Sequence, residues 1–341
     1  MEPGLVRGEP AHRPALAVLV EAACCASGRS WGRPLSQAAT LSAIVCTHNP
    51  NPDSLARCLA GLQAQSLRAD AWELVVVDNR CDDPLASRVD MGWHCRARIV
   101  REETLGLTPA RLRGIREAAG EILVFVDDDN VLDPDYLATA LGVAEGKPFL
   151  GAWSGQCAPE FEAPPPDWMR PYWGQLALRE VSADRWSNLR SSETLPCGAG
   201  LCVRRDVARR YLDLHETGQR GFQLDRTGAS LTSGGDQDLA ACACDLGYGA
   251  GVIAALRLTH LIPAARLTLD YHRRLTEGIY FSAVVLAFLR GAEAEVRGYR
   301  VRWTHVARAL LTRGRPHRLI QLACLHGRRR GLAQVARMSR A

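Results

Sequence analysis

The chain has 341 residues, 47% of them hydrophobic and 23% charged, enough to bury a substantial core in one large domain or two ordinary ones. Its net charge of +5 is unevenly placed: residues 291–341 hold twelve arginines against two glutamates, +10, so the other 290 residues sum to −5. That balance argues against nucleic acid as a partner, because a nucleic-acid-binding protein needs a basic face on its folded core.

In chain order, residues 1–38 are rich in Pro, Gly, Arg and Ala without a sustained period, and read as a poorly ordered N-terminal extension. The apolar stretch Ala15–Val20 is cut by Glu21 and makes no secretory h-region. Leu41–Cys46 then reads as a buried strand ending in the loop Thr47-His48-Asn49. Asp53 can cap a helix carrying Leu55, Cys58, Leu59 and Leu62 on one face. Leu74–Val77 is a second buried strand, ending at Asp78-Asn79, and Ile99–Val100 a short third. Thr108-Pro109 reads as an N-cap with proline at the first helical position, followed by Leu112, Ile115 and Ala119 on one side.

Ile122–Val126 is the strongest strand, and it runs into Asp127-Asp128-Asp129; Asp133-Pro134 starts the next helix. Residues 151–200 are loop-rich, with tryptophans at 153, 168, 173 and 186 that either pack in the protein or stack on sugar rings. Ser233–Asp238 heads a helix that ends at Gly247. Strands alternating with helices imply crossover connections and a mostly parallel sheet covered on both faces. Ligands of such sheets bind beyond the carboxyl ends of the strands, where Thr47–Asn49, Asp78-Asn79 and Asp127–Asp129 all fall.

The twelve cysteines are scattered, none in a CxxC pair, which fits reduced thiols in a cytoplasmic protein. The longest later apolar run, Ile279–Leu289, is well short of the roughly 20 residues of a spanning helix. Tyr280–Leu289 with the arginines that follow reads either as a surface that attaches peripherally to the inner face of a membrane or as a solvated basic region packed on the domain.

Three consecutive carboxylates closing an apolar strand repel one another unless something neutralises them. A divalent cation shared with phosphate oxygens would do so. The bland alternative is a solvated turn leading into a helix.

In order and approximate spacing, Thr47-His48-Asn49, Val76-Val77-Asp78-Asn79, Gly106–Arg111, Val126–Asp129, Pro196–Gly200 and Gly234–Leu239 together resemble the family 2 glycosyltransferases. The resemblance covers about residues 41–275. It implies an α/β GT-A fold, Rossmann-like, with an N-terminal extension at 1–38, the transferase domain at 39–275 and a helical basic region at 276–341. The implied activity is inverting transfer of a hexosyl or related sugar from a nucleoside-diphosphate sugar to a hydroxyl of a carbohydrate, lipid-linked or small-molecule acceptor, with Mg²⁺ or Mn²⁺ as cofactor.

Carried over by position, the resemblance places Thr47, Asn49 and Asp78 on the base and ribose, and Asp127 and Asp129 on the metal, with Asp128 beside the nucleotide. Arg111 faces the diphosphate or is a solvated helix charge. Gly198 lets the backbone pass close to the donor sugar, or marks a plain turn. His260 approaches the metal, or packs as an ordinary buried histidine. Asp236 matches the general base, and also suits a helix N-cap. The family's Gly-Glu-Asp-x-Asp-Leu carries glutamate where this chain has Gly235, which leaves open whether Asp238 shares the base role. The rival functions are a nucleotidyltransferase, which would not need Asp236, and a non-catalytic nucleotide-sugar or glycan-binding protein.

Overall fold

Apolar residues on both faces of Leu41–Thr47, Trp72–Asp78 and Ile122–Asp127, broken within the strands only by Ser42 and Glu73, suit the middle of a layered structure. In the computed structural model, which describes residues 40–190, 193–228 and 230–340, they lie there. The order is β1 (Leu41–Thr47), α1 (Pro52–Gln63), β2 (Trp72–Asp78), β3 (Ala97–Arg101), α2 (Leu107–Glu117), β4 (Ile122–Asp127), β5 (Asn130–Leu132), α3 (Tyr136–Gly146) and β6 (Leu150–Phe161). There follow β7 (Arg185–Ser187), β8 (Leu201–Arg204), α4 (Arg205–Glu216), α5 (Gly235–Asp245), β9 (Gly249–Ile262) and the helices α6 (Leu269–Leu289), α7 (Glu293–Gly298), α8 (Trp303–Leu310) and α9 (Arg315–Met338). The 1–38 extension lies outside the described residues.

The sheet order is β3-β2-β1-β4-β8-β6-β9-β5, with β7 beside β9. β1, β2, β3, β4, β6 and β9 run one way and β5, β7 and β8 the other, so the sheet is mixed but mostly parallel in direction. Alternate strand residues feed two cores. Ala43, Val45, Val76 and Val124 meet Leu55, Leu59 and Leu62 of α1 and Leu137 and Ala140 of α3. Ile44, Val75, Val77 and Phe125 meet Ile115 of α2, Tyr211 of α4 and Leu239 of α5. Thr47 pairs in register with Asp78, and Cys46 with Asp127, so the polar ends of the three central strands emerge side by side.

The helix starts differ from the sequence expectations. Asn51, not Asp53, caps α1, accepting from the backbone N–H groups of Asp53 and Ser54 at 3.0 and 3.1 Å. Gly106, with φ of +137°, precedes α2, and Thr108 spends its hydroxyl on Asp225 instead. α3 begins after Asp135, so Asp133 gives it no side-chain cap. Trp153 is core, and Trp168 and Trp173 pack around Met169, Ile262 and Leu275. Trp186 is half exposed against Phe149.

α6 runs straight through the boundary drawn at 275. Its apolar side is not free for a membrane: Phe281, Val284 and Val285 are buried, and α9 lies against it. The approach needs glycine, because a Cβ at Gly327 would stand 2.3 Å from the Glu277 carbonyl oxygen and one at Gly331 2.7 Å from Val284 Cβ. Among the described residues no helix is long and apolar enough to cross a membrane.

Candidate active site

Beyond the carboxyl ends of β1, β2 and β4 lies a cavity of about 460 Å³, within the roughly 300–1,000 Å³ of small-molecule sites. Thr47, His48 and Asn49 line it from the end of β1 and the loop beyond, Asn79 from just past β2, and Asp127, Asp128 and Asp129 from the end of β4 and the turn that follows. Arg111 of α2, Gly198, Asp236 of α5 and His260 of β9 close it from the other sides. Nine of the eleven residues expected at the site therefore share one space; Asp78 and Asp238 do not line it.

Asp78 is turned into the loop after β2. Its carboxylate accepts from the N–H groups of Cys81 and Leu85 at 2.8 and 3.0 Å and pairs with Arg101 at 3.1 Å. Burial works against its charge, but these donors outweigh it and hold the carboxyl below the usual range. Asn79 faces the cavity in its stead, its side chain accepting from Gly106 N–H at 2.8 Å and donating to the Thr104 carbonyl at 2.7 Å. Asn49 takes a left-handed φ of +47°, which asparagine tolerates, and its side chain bonds both the Asp82 backbone and carboxylate.

Asp238 follows Asp236 by two helical residues, a rotation of roughly 200° that sends it to the opposite side of α5. There it is buried between Arg220 at 2.7 Å and Arg290 at 2.6 Å, which tie α5 to the end of α6. Its carboxylate is spent on these two arginines and does not face the cavity. Asp236 keeps its first-turn position without capping α5, which starts after Gly234. One of its oxygens accepts from Gly198 N–H at 2.8 Å. Gly198 keeps this corner open: a Cβ would lie 3.0 Å from the Arg111 guanidinium and 3.2 Å from Asp236, so both would have to shift by a few tenths of an ångström.

The three aspartates of β4 differ. Asp127 is half-buried, and among the described residues no donor to its carboxylate is found; desolvation, then the charge of Asp129, raises its pKa. Asp128 accepts a hydrogen bond from the Thr47 hydroxyl, yet burial and its two neighbours push it up to about 7. Asp129 goes the other way. Burial opposes its charge, but His260 at 3.3 Å and Arg266 at 2.9 Å overcome that and hold it ionised. His260 places Nδ1 against the Leu176 carbonyl at 3.0 Å and Nε2 towards Arg266 and Asp129. No group of three or more His, Cys, Asp or Glu positioned to hold a metal occurs among the described residues. The donor set nonetheless fits a cation of the Mg²⁺ kind, which takes one or two carboxylates and completes its shell with phosphate oxygens. Asp127, with unspent acceptor capacity in a half-buried negative cluster lining the cavity, is the observation that favours such a guest.

Arg111 is buried to the same degree as Asp225. Burial would strip its proton, but Asp225, Asp236 and Asp127 together raise its pKa and fix the positive charge. Asp225 and Arg266 had drawn no attention in the sequence. Neither sits in a motif, and the only hint of Asp225 was the missing side chain at Gly235.

Comparisons with known proteins give the family. Residues 42–212 match the model of the family described as Glycosyl transferase family 2, and the chain belongs to that family. A glucosyl-dolichyl phosphate glucuronosyltransferase of Haloferax volcanii is 25% identical over 175 residues, 49% of this chain and 53% of that protein. An N-acetylglucosaminyltransferase of Sinorhizobium fredii is 27% identical over 188 residues, 52% of this chain and 43% of that one. The chain thus spans about half the length of these curated relatives. A crystal structure of S. aureus TarS 1-349 is similar with a TM-score of 0.48 and 16% identity, over 88% of this chain and 91% of that one.

Proposed function

We propose that this chain transfers a hexose-derived sugar, with inversion, from a nucleoside-diphosphate sugar to a hydroxyl of a carbohydrate, lipid-linked or small-molecule acceptor, in polysaccharide or glycolipid biosynthesis. One observation carries the reading. A single cavity sets the β4 carboxylates on one wall and Asp236 on another, with Arg111 between them. A nucleotidyltransferase has no use for Asp236 there, and family membership weighs against a bare binding protein. The names of the two relatives, glucuronosyl and N-acetylglucosaminyl transferases, support a hexose-derived sugar.

In this reading Asn49 and Asn79 flank the nucleoside and Arg111 faces the diphosphate. Asp127 and Asp129 hold the divalent cation, and Arg266 and His260 keep Asp129 in the charged state that binding requires. The cation, when bound, stabilises the negative charge that grows on the leaving diphosphate. Asp236 takes the proton of the acceptor hydroxyl as its oxygen attacks the anomeric carbon, and the bond from that carbon to the diphosphate breaks. Gly198 N–H holds one oxygen of Asp236 at 2.8 Å and Gln237 N–H the other at 2.9 Å, and each oxygen keeps a second lone pair for the acceptor hydroxyl. Incubation with UDP-, GDP- and dTDP-linked sugars and Mn²⁺, with release of the nucleoside diphosphate as the readout, tests the reading. Pyrophosphate from a nucleoside triphosphate and a sugar phosphate, with no release from any nucleotide sugar, would replace it by the nucleotidyltransferase.

Arg266 favours a second reading of the charge balance. It already stands 2.9 Å from Asp129, so arginine could neutralise the cluster without a metal. Nucleotide binding that is indifferent to EDTA would favour it.

Membrane contact belongs to α8 in this proposal rather than to Tyr280–Leu289. Trp303 and Leu311 are 80% and 82% exposed, and Arg302, Arg308 and Arg313 lie among them. Apolar side chains flanked by arginine suit an anionic lipid surface, at ~1 kcal/mol per basic residue near it. The chain should sediment with phosphatidylserine vesicles at low salt, and Trp303→Ala with Leu311→Ala should abolish this. Equal sedimentation of the double variant would remove α8 from the contact.

A further inference from the structure

A side chain at position 235 would have nowhere to go. A Cβ built on Gly235 would stand 2.0 Å from Oδ2, 2.6 Å from Cγ and 2.8 Å from Oδ1 of Asp225. The space is filled by a carboxylate, and a carboxylate is what the Gly-Glu-Asp-x-Asp-Leu pattern carries at that position. We propose that Asp225 is a positioning residue of the transfer site, delivering from the loop after α4 the negative charge that residue 235 lacks.

The bonds of Asp225 show what that charge holds. Oδ2 accepts from the Thr108 hydroxyl at 2.9 Å and from Arg111 at 3.0 Å, both on α2. Oδ1 accepts from Gly235 N–H at 3.0 Å, the first residue of α5. Asp225 is 4% exposed, and its partner Arg111 is equally enclosed, so solvent screens the pair little. One carboxylate therefore clamps the first turns of two helices. Arg111 passes the effect on: its guanidinium lies beside Gly198 and Asp236, the group assigned to the acceptor proton. Remove Asp225 and Arg111 loses the partner that fixes its direction, while the N–H of Gly235 loses its acceptor. Arg111 and Asp236 would then be free to pair more closely, which would tie up the base.

A buried ion pair of purely structural value would show the first two of these effects. What sets the proposal apart is that the charge should work from either position. Glutamate at 235 carries its carboxyl carbon two bonds from Cβ, close to where the Cγ of Asp225 now lies. Asp225→Ala and Gly235→Glu should each be damaging alone, the first by loss of charge and the second by collision. Combined, they should restore one another.

The consequence for transfer rests on the function proposed above, so the experiment has two readouts on the full-length chain. Thermal unfolding of Asp225→Ala should fall by roughly 5–15 °C. Release of nucleoside diphosphate from the nucleotide-sugar panel should fall roughly 10- to 100-fold, the effect of misplacing a working group by about an ångström. Asp225→Ala/Gly235→Glu should recover more than half of both losses. Asp225→Ala/Gly235→Ala, which relieves the collision without replacing the charge, should recover neither. Equal recovery by the two double variants would reduce the relation to packing and overturn the proposal. So would a glutamate double variant that fails to recover, whether by low activity or by failure to fold. If the wild type releases nothing from any donor, the transfer reading fails, and the unfolding series still decides whether the two positions exchange a charge.

Discussion

Ser42 and Thr47 sit near opposite ends of β1, and they meet carboxylates of very different standing, Glu73 and Asp128. At the Ser42 end, Glu73 accepts from the serine hydroxyl at 2.6 Å, from Ala119 N–H and from Arg98 at 2.7 Å, and the serine in turn accepts from Gly120 N–H at 2.8 Å. Burial opposes the charge, but these donors overcome it and lower the pKa of Glu73. At the Thr47 end, desolvation and mutual repulsion raise Asp127 and Asp128, and among the described residues the only hydrogen bond to their carboxylates comes from Thr47. The same strands carry both ends. One end is complete in itself; the other is short of positive charge, which in the proposed function a bound cation supplies.

That contrast breaks if substitutions at the two ends have the same kind of effect. The largest expected is Asp236→Asn at the cavity end. Asparagine keeps the shape and removes the proton acceptor, so turnover should fall by roughly 10²–10⁴ while unfolding and nucleotide affinity change little. Full activity would remove Asp236 as the base. At the closed end, Glu73→Ala should cost about 3 kcal/mol in denaturant unfolding, because Arg98, Ser42 and the Ala119 N–H lose their acceptor. The folded fraction should keep its activity per molecule.

Glu73 also sets a sign for pH. Its folded pKa is depressed, so its contribution is present above the usual value of 4.5 and is lost as pH falls through the lower folded value. Glu73→Gln should therefore flatten the acid limb of the stability curve, and parallel curves for variant and wild type would contradict this account. The smallest effect sharpens the comparison. Asp127→Asn removes a like charge from the cavity end, so the ligand-free protein should gain about 1 kcal/mol while nucleotide binding weakens. A variant that loses stability there would mean that Asp127 is satisfied after all.

Much of this was legible in the sequence. The runs Leu41–Cys46, Leu74–Val77 and Ile122–Val126 are short, apolar and closed by polar residues, and each is a central strand. Their ends converge because parallel strands in register must end together. Direction was harder to read. A carboxylate's side of a helix depends on where the helix starts, and α5 begins at Gly235, which sends Asp238 inward to Arg220 and Arg290. Asp78 lies at a strand end as expected, yet the turn at Cys81–Leu85 claims it, a local bond that strand periodicity does not reveal. Asp225 is the least legible, since its partners Thr108 and Arg111 lie more than a hundred residues away in sequence.

The account turns on the charge deficit at the cavity end, and titration calorimetry tests it most directly. UDP, GDP and dTDP are titrated into the chain in Mn²⁺ and again in EDTA. The account predicts that at least one binds in Mn²⁺ and that its affinity falls by roughly tenfold or more in EDTA, because the diphosphate then meets Asp127–Asp129 without a cation between them. Equal affinity in the two buffers would show that Arg111 and Arg266 suffice, and would contradict it.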